Sequence, residues 1–82
     1  MSGEIIKRLH QIVKEIKPSI NALNENSNLS KDLGLDSLDT ISFFFEVEKA
    51  FNIKMSESDI AENKLLNIDK LIKYIEKRVD NI

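Results

Sequence analysis

Apolar residues recur at helical spacing near both ends of the chain. In residues 4–17 they form one continuous stripe on a helix of about 3.6 residues per turn, and Pro18 disfavours helical geometry at the residue before it. This stripe consists of Ile5, Ile6, Leu9, Ile12, Val13 and Ile16. A second stripe consists of Ile68, Leu71, Ile72, Ile75 and Val79, with Asn67 before it as a candidate N-cap. The pattern predicts a first helix over 4–17 and a last helix from Ile68.

The segment between the first helix and the middle of the chain is polar but keeps regularly placed apolar residues. Residues 19–36 are rich in Asn, Ser and Asp, which favour turns. The apolar exceptions are Ile20, Leu23, Leu29, Leu33 and Leu35. A disordered linker does not need such residues. We therefore predict a long loop that is pinned to the core.

The strongest helical pattern covers residues 37–51 and has two apolar surfaces. When the residues are projected around the helix axis at about 100° each, the apolar side chains fall into two arcs. A wide arc faces the predicted core, and a narrower arc lies on the opposite side of Ser37. The core arc contains Thr40, Phe43, Phe44, Val47 and Phe51. The second surface contains Leu38, Ile41 and Phe45. These three either pack under a neighbouring element or form an exposed surface that contacts a partner.

A short helix is predicted between the second and the last. Ser56 followed by Asp59 matches a capped helical start, and the turn should continue to about Asn63. Ile60 is its expected buried contact. The whole chain, residues 1–82, is thus predicted to be one all-α domain, a small four-helix bundle with three longer helices and one short helix.

Length and composition narrow the function. A chain of 82 residues with 41% hydrophobic residues supports one small core, which is too small to enclose a deep catalytic cleft, so we do not expect an enzyme. The formal net charge is −2 and no basic block is present, so nucleic-acid binding is not expected. We expect a monomer.

Metal, thiol and membrane functions also lack support. The chain contains no cysteine and one histidine, His10, which lies off the first stripe and is expected to be solvated. No set of metal ligands can be assembled from these residues, and any thiol must come from an added group. No apolar run approaches the roughly 20 residues of a membrane span, and the N-terminus lacks the pattern of a secretion signal. We expect a cytoplasmic protein that does not insert into membranes.

The candidate chemistry lies where the long loop meets the second helix. The run there is Asp32-Leu33-Gly34-Leu35-Asp36-Ser37-Leu38-Asp39. Gly34 permits a left-handed turn, and Asp36 is a candidate N-cap with Asp39 three residues later, an acidic version of a capping box. Ser37 then falls in the first helical turn, where free backbone N–H groups and the helix dipole favour an attached phosphate.

This run resembles the attachment motif of acyl carrier proteins, in which a serine carries 4′-phosphopantetheine. The resemblance extends over most of the chain. It implies that Ser37, next to Asp36, receives the group from coenzyme A through a phosphopantetheinyl transferase. The arm would then hold acyl groups as thioesters for fatty-acid synthesis or a related specialised acyl pathway, in exchange with acyl-transfer and acyl-chain-modifying enzymes.

The resemblance also assigns roles to the two surfaces of the second helix. Positions that match the family's partner-recognition surface are Leu38, Asp39, Ile41, Phe45 and Glu48. Residues that would enclose an acyl chain are Thr40, Phe43, Phe44, Val47, Phe51 and Ile60. The chain departs from the family at Ser42 and Lys49, where acidic residues are common, and in its three consecutive phenylalanines. Two alternatives are a carrier of aminoacyl or peptidyl groups, and an unmodified helical adaptor that binds partners through the second helix.

Overall fold

The computed structural model describes residues 2–80, which form four α-helices. They are α1 (Ser2–Ile16), α2 (Ser37–Phe51), α3 (Glu57–Glu62) and α4 (Ile68–Asp80). The all-α prediction is confirmed, including the single short helix. α1 begins two residues before the predicted start and ends one residue earlier, directly before the Lys17-Pro18 pair. The predicted bounds of α2 are those observed.

The core is built from the apolar stripes of the three long helices and from loop residues. α1 packs against both α2 and α4. The fully enclosed side chains are Leu9, Val13, Leu29, Phe43, Val47, Leu65, Ile68, Leu71 and Ile75. The rings of Phe43 and Phe44 meet edge to face, with their centroids 5.3 Å apart. Burial of these stripes drives the assembly, because removal of apolar area from water is the main favourable term in folding.

The long loop between α1 and α2 is pinned, as predicted. Ile20, Leu29 and Leu35 are buried, and the backbone of the loop pairs with the segment before α4. Leu29 donates its N–H to the carbonyl of Leu66 at 2.8 Å, and Ile68 donates to the carbonyl of Ser27 at 3.0 Å. Between them lies an isolated antiparallel bridge, Asn28 with Asn67. The loop therefore has a fixed path to Ser37.

Three local predictions need correction. Asn67 precedes α4 as expected of a cap, but its side-chain oxygen accepts from the Asn28 amide at 2.8 Å. Val79 is exposed, because the buried part of the α4 stripe ends at Ile75. His10 is half-buried, and its Nε2 is enclosed without a hydrogen-bond partner among the described residues. The sequence pattern placed His10 off the stripe but could not show how closely the surrounding side chains approach it.

Candidate functional site

Ser37 is the first residue of α2, and its side chain is exposed. Asp36 is the N-cap: its extended backbone brings Oδ1 to 2.8 Å from the N–H of Asp39. Thr40 donates its hydroxyl to the carbonyl of Asp36 at 2.8 Å, which adds a second tie across the same turn. The first half of the predicted capping box is thus formed, whereas the Asp39 carboxylate makes no return bond among the described residues. These contacts fix the backbone at Ser37, and its hydroxyl makes no hydrogen bond within residues 2–80.

Gly34 forms the turn through which the long loop reaches Ser37. Its φ is +69°, in the left-handed region that favours glycine, as the sequence predicted. Its carbonyl accepts a hydrogen bond from Lys17 Nζ at 3.0 Å. A Cβ at position 34 would lie 3.3 Å from the same Nζ. The end of α1 is thereby connected to the turn that precedes α2.

The second apolar surface of α2 faces solvent. Leu38 is 75% exposed, Ile41 66% and Phe45 57%. The alternative that these residues pack under a neighbouring element is therefore wrong. We call these three residues the docking face. A contiguous apolar surface beside a capped helix start is typical of a site that contacts another molecule.

A groove of about 640 Å³ lies between α2 and α3. Its apolar walls are Ile41, Phe44, Phe45, Met55, Ile60, Ala61 and Leu66. Its polar lining is Asn28, Thr40, Glu48, Glu57, Lys64 and Asn67. The groove falls in the size range of ligand pockets in proteins.

The groove contains half of the residues predicted for the acyl pocket. Thr40, Phe44 and Ile60 line it, although Thr40 and Ile60 are only half-buried. Phe43 and Val47 lie wholly inside the core, and Phe51 is half-buried against it. The residues of the core arc of α2 are thus divided between the core and the groove. Only the residues on the side of that arc nearest α3 line the groove.

Two docking-face residues also line the groove, which the projection did not indicate. Ile41 and Phe45 are exposed and at the same time border the cavity. Met55 and Leu66, on either side of α3, were not predicted to line it. Their signal was weak, because apolar residues in the short connections beside α3 indicate anchors to the core but not which cavity they border. Their position depends on how α3 lies against α2.

The carboxylates of α2 differ in what they contact. Glu48 Oε2 accepts from the N–H of Met55 at 2.8 Å, and Glu46 Oε2 lies 3.3 Å from Lys49 Nζ. Lys49 Nζ also lies 5.0 Å from the centroid of the Phe45 ring, within the range of a cation–π contact. Asp39 lies at the Ser37 end of α2, whereas Lys49 lies in the last turn. α2 therefore carries excess negative charge at both ends, because Glu46 and Glu48 outnumber Lys49 in its second half.

Asn28 organises the back of the groove. Its side-chain oxygen accepts from the N–H groups of Ser30 and Lys31, at 2.9 and 2.8 Å. Its amide nitrogen donates to Asn67 Oδ1 at 2.8 Å. The backbone N–H of Asn28 donates to Asp32 Oδ2 at 2.7 Å. The side chain thus holds both the loop and the segment that follows α3.

The start of α3 is capped as predicted and is tied to α4. Ser56 Oγ accepts from the N–H of Asp59 at 3.0 Å, and Asp59 Oδ2 accepts from the N–H of Ser56 at 3.4 Å. Tyr74 donates its hydroxyl to the same Oδ2, also at 3.4 Å. Burial raises the pKa of Tyr74, Arg78 opposes this shift, and Asp59 adds to it. The bond from Tyr74 to Asp59 is long, and none of the six residues of α3 is buried.

Metal and membrane functions gain no support from residues 2–80. No group of three or more His, Cys, Asp or Glu side chains in this part of the chain is placed to hold a metal ion. None of its helices is both long and apolar enough to cross a membrane.

Comparison with known proteins decides the family. A family model described as the phosphopantetheine attachment site matches residues 7–75. The acyl carrier protein of Karelsulcia muelleri is 40% identical over 77 residues, covering 94% of this chain and 82% of that protein. The chain belongs to the acyl carrier protein family.

Other relatives agree with this assignment. The acyl carrier protein of Cyanidium caldarium is 33% identical over 79 residues, covering 95% of this chain and 90% of that protein. The solution structure of a protein from Anaplasma phagocytophilum, described as a candidate acyl carrier protein, superposes with a TM-score of 0.80 and 29% identity. The alignment covers 94% of this chain and 90% of that one.

Membership defines the chemistry at the level of the family. Acyl carrier proteins carry acyl intermediates on a covalently attached 4′-phosphopantetheine and are carriers rather than catalysts. The present chain suits this group, because it offers an exposed serine hydroxyl at a capped helix start beside an apolar groove. The resemblance predicted from the motif is therefore confirmed.

Proposed function

We propose that Ser37 is the residue that carries 4′-phosphopantetheine. The observation that supports this most strongly is the position of Ser37: it is exposed and directly follows the Asp36 cap. The first N–H groups of a helix and its dipole stabilise a phosphate at this point. Asp36 contributes by fixing the turn, since Oδ1 is engaged with the N–H of Asp39. Its role is to position Ser37.

The chain supplies position and shelter, and the bound group supplies the thiol on which acyl groups form thioesters. The absence of cysteine from the sequence agrees with this division of roles, because no competing thiol is present. On this proposal the chain itself has no catalytic activity, and it acts as a cytoplasmic monomer. The acyl groups belong to fatty-acid synthesis or a related specialised pathway.

The groove between α2 and α3 is the proposed shelter for the acyl chain. Its walls are mostly apolar, and its mouth is bordered by Ile41 and Phe45 on the same helix as Ser37. Transfer of an apolar chain from water contributes about 0.8 kcal/mol per buried CH₂. Because α3 has six residues, none of them buried, and its bond from Tyr74 is long, a small shift of α3 can widen the groove.

The docking face and Asp39 are the proposed contacts for partner enzymes. These include the phosphopantetheinyl transferase and the acyl-transfer and acyl-chain-modifying enzymes. Ile41 and Phe45 have two roles in this proposal, because a partner that covers them also covers the mouth of the groove. Glu48, which the sequence placed in the same set, also has a structural contact with Met55.

Intact mass after incubation with coenzyme A and a phosphopantetheinyl transferase tests the attachment site. The wild type should gain one phosphopantetheine and the Ser37→Ala variant none. Ser42→Ala is the matched control, because Ser42 is an exposed serine on the same helix, and it should gain the group like the wild type. Modification of Ser37→Ala would show that another serine is used. No gain by the wild type with several transferases would favour an unmodified adaptor.

A further inference from the structure

The groove between α2 and α3 is polar at the end nearest Ser37. Thr40, about one helical turn after Ser37, lines the groove and donates its hydroxyl to the carbonyl of Asp36. Asn28 lies close by, because the carbonyl of the residue that follows it accepts the N–H of Leu35, directly before Asp36, at 3.0 Å. The long loop and α2 therefore meet here, and both contribute polar side chains to the groove.

The opposite end of the groove has large apolar walls. Met55 lines this end and donates its N–H to Glu48, which lies about 16 Å from Ser37 along α2 at about 1.5 Å per residue. Phe45 lines the groove one turn before Glu48, and Glu57 is exposed at the start of α3. Apart from the Glu48 carboxylate, which is engaged with the backbone, the side chains that enclose this end are thus apolar.

The polar side chains at the end near Ser37 have unused hydrogen-bonding capacity. We call Asn28, Thr40 and Asn67, all half-buried, the polar wall. Asn28 Oδ1 accepts two backbone N–H groups, and Asn28 Nδ2 uses one hydrogen on Asn67 Oδ1. Asn67 Nδ2 uses one hydrogen on the carbonyl of Lys64, at 3.3 Å. Within residues 2–80 each amide therefore keeps one N–H without an acceptor, and Thr40 Oγ1 keeps its lone pairs.

Resting on Ser37 as the attachment residue and on the groove as the shelter, we propose that the polar wall selects acyl chains with a hydroxyl group on the β carbon. In a chain tethered at Ser37 the β carbon is close to the thioester, and so it falls at the polar end of the groove. The hydroxyl group donates to Thr40 Oγ1 and accepts from the amide N–H groups. A β-oxo group only accepts, and a saturated chain leaves the polar wall without partners while it excludes water.

Thermal unfolding of loaded carriers tests this selection, because burial of apolar area alone predicts the opposite order. A saturated chain removes more apolar area from water than a hydroxylated chain of equal length. The carrier is loaded by a phosphopantetheinyl transferase from octanoyl, β-oxooctanoyl or β-hydroxyoctanoyl coenzyme A, and intact mass verifies each product. The β-hydroxy form should melt about 4 °C or more above the octanoyl form, with the β-oxo form between them. The isomeric ω-hydroxyoctanoyl form should melt below the β-hydroxy form.

Two substitutions of Thr40 separate recognition of the hydroxyl group from general polarity. Thr40→Val removes Oγ1 but keeps the shape of the side chain, and it should reduce the difference between the β-hydroxy and octanoyl forms by about half. The difference between the β-oxo and octanoyl forms should stay the same. Thr40→Ser retains Oγ1 and should retain both differences. Because loaded forms of one variant are compared, the loss of the bond from Thr40 to Asp36 cancels.

Each contrary result has a distinct meaning. An octanoyl or ω-hydroxyoctanoyl form of the wild type that melts at or above the β-hydroxy form would overturn the selection. An unchanged difference in Thr40→Val would overturn it as well, since Oγ1 would then have no part in it. Loading without any stabilisation relative to the unacylated carrier would overturn the groove as the shelter. Failure of the wild type to gain any group would instead overturn Ser37 as the attachment residue.

Discussion

Glu48 is bound to the backbone of Met55: its Oε2 accepts the N–H at 2.8 Å in a partly buried setting. This bond links the last turn of α2 to the segment that leads into α3. Both residues line the groove, so the bond lies in its wall. A carboxylate that the sequence placed among partner contacts is therefore also part of the structure that defines the groove.

Substitution of Glu48 should reduce stability according to its hydrogen-bonding capacity. We expect Glu48→Ala to lower the free energy of unfolding by about 1–2 kcal/mol, because it leaves the Met55 N–H without its acceptor. Glu48→Gln retains an acceptor oxygen, so its loss of unfolding free energy should be less than half of the loss in Glu48→Ala. Chemical denaturation gives both values. If Gln and Ala were equally destabilising, the charge rather than the hydrogen bond would be responsible.

Phe43 and Phe45, two residues apart, should respond in opposite ways to truncation. Phe43→Ala should cost about 3–5 kcal/mol of unfolding free energy, because the ring is wholly buried. Phe45→Ala should cost less than about 1 kcal/mol, since its ring is largely exposed, but should weaken binding to partner enzymes. Denaturation and a binding titration measure the two effects. A large loss of stability in Phe45→Ala would place that ring in the interior.

Phe44, and not Phe43, should control the acyl length that the groove accepts. Of these two rings only that of Phe44 lines the groove, so Phe44→Leu should enlarge it and shift the most stabilising acyl length upward. Phe43→Leu is the matched control: it should reduce stability without changing that length. Calorimetry of carriers loaded with thioesters of graded length tests this. An unchanged optimum in Phe44→Leu would mean that the chain is held elsewhere.

Tyr74 should make the stability of the fold sensitive to alkaline pH. Its pKa in the folded protein is raised, chiefly by burial, above its ordinary value of about 10. The folded state therefore favours the protonated phenol, whose contribution is present below about pH 10 and is lost as the pH rises through the folded pKa. Tyr74 is the only tyrosine, so tyrosinate absorbance reports its titration directly. Tyr74→Phe should remove this part of the pH dependence of the unfolding free energy. The same pH dependence in the variant and the wild type would contradict the prediction.

Gly34→Ala should disturb the turn that leads to Ser37. The left-handed backbone costs an L-residue about 1–2 kcal/mol, and the new methyl group would press on Lys17 Nζ. Stability should fall by about that amount, and the rate of Ser37 modification should fall with it. Lys17→Met removes the hydrogen bond to Gly34 without changing the backbone preference, so its cost should be smaller. A Gly34→Ala variant as stable as the wild type would show that the turn can adjust.

The sequence by itself determined the helices, the caps at Asp36 and Ser56, and the turn at Gly34. It did so because these features depend on local spacing and backbone preference. The motif around Ser37 likewise indicated the family. The exposure of Leu38, Ile41 and Phe45 was left open, since a helical projection separates faces but does not show what lies opposite each face.

Only the tertiary structure decided which residues form the groove and which carboxylates are engaged. The groove combines side chains of α2 and α3 with Asn28 from the long loop, and its members are distant in sequence. The hydrogen bond from Met55 to Glu48 joins residues on opposite sides of a turn. Whether Phe43 or Phe44 lines the groove depends on where α3 lies. These relationships arise from packing between elements, which local periodicity does not encode.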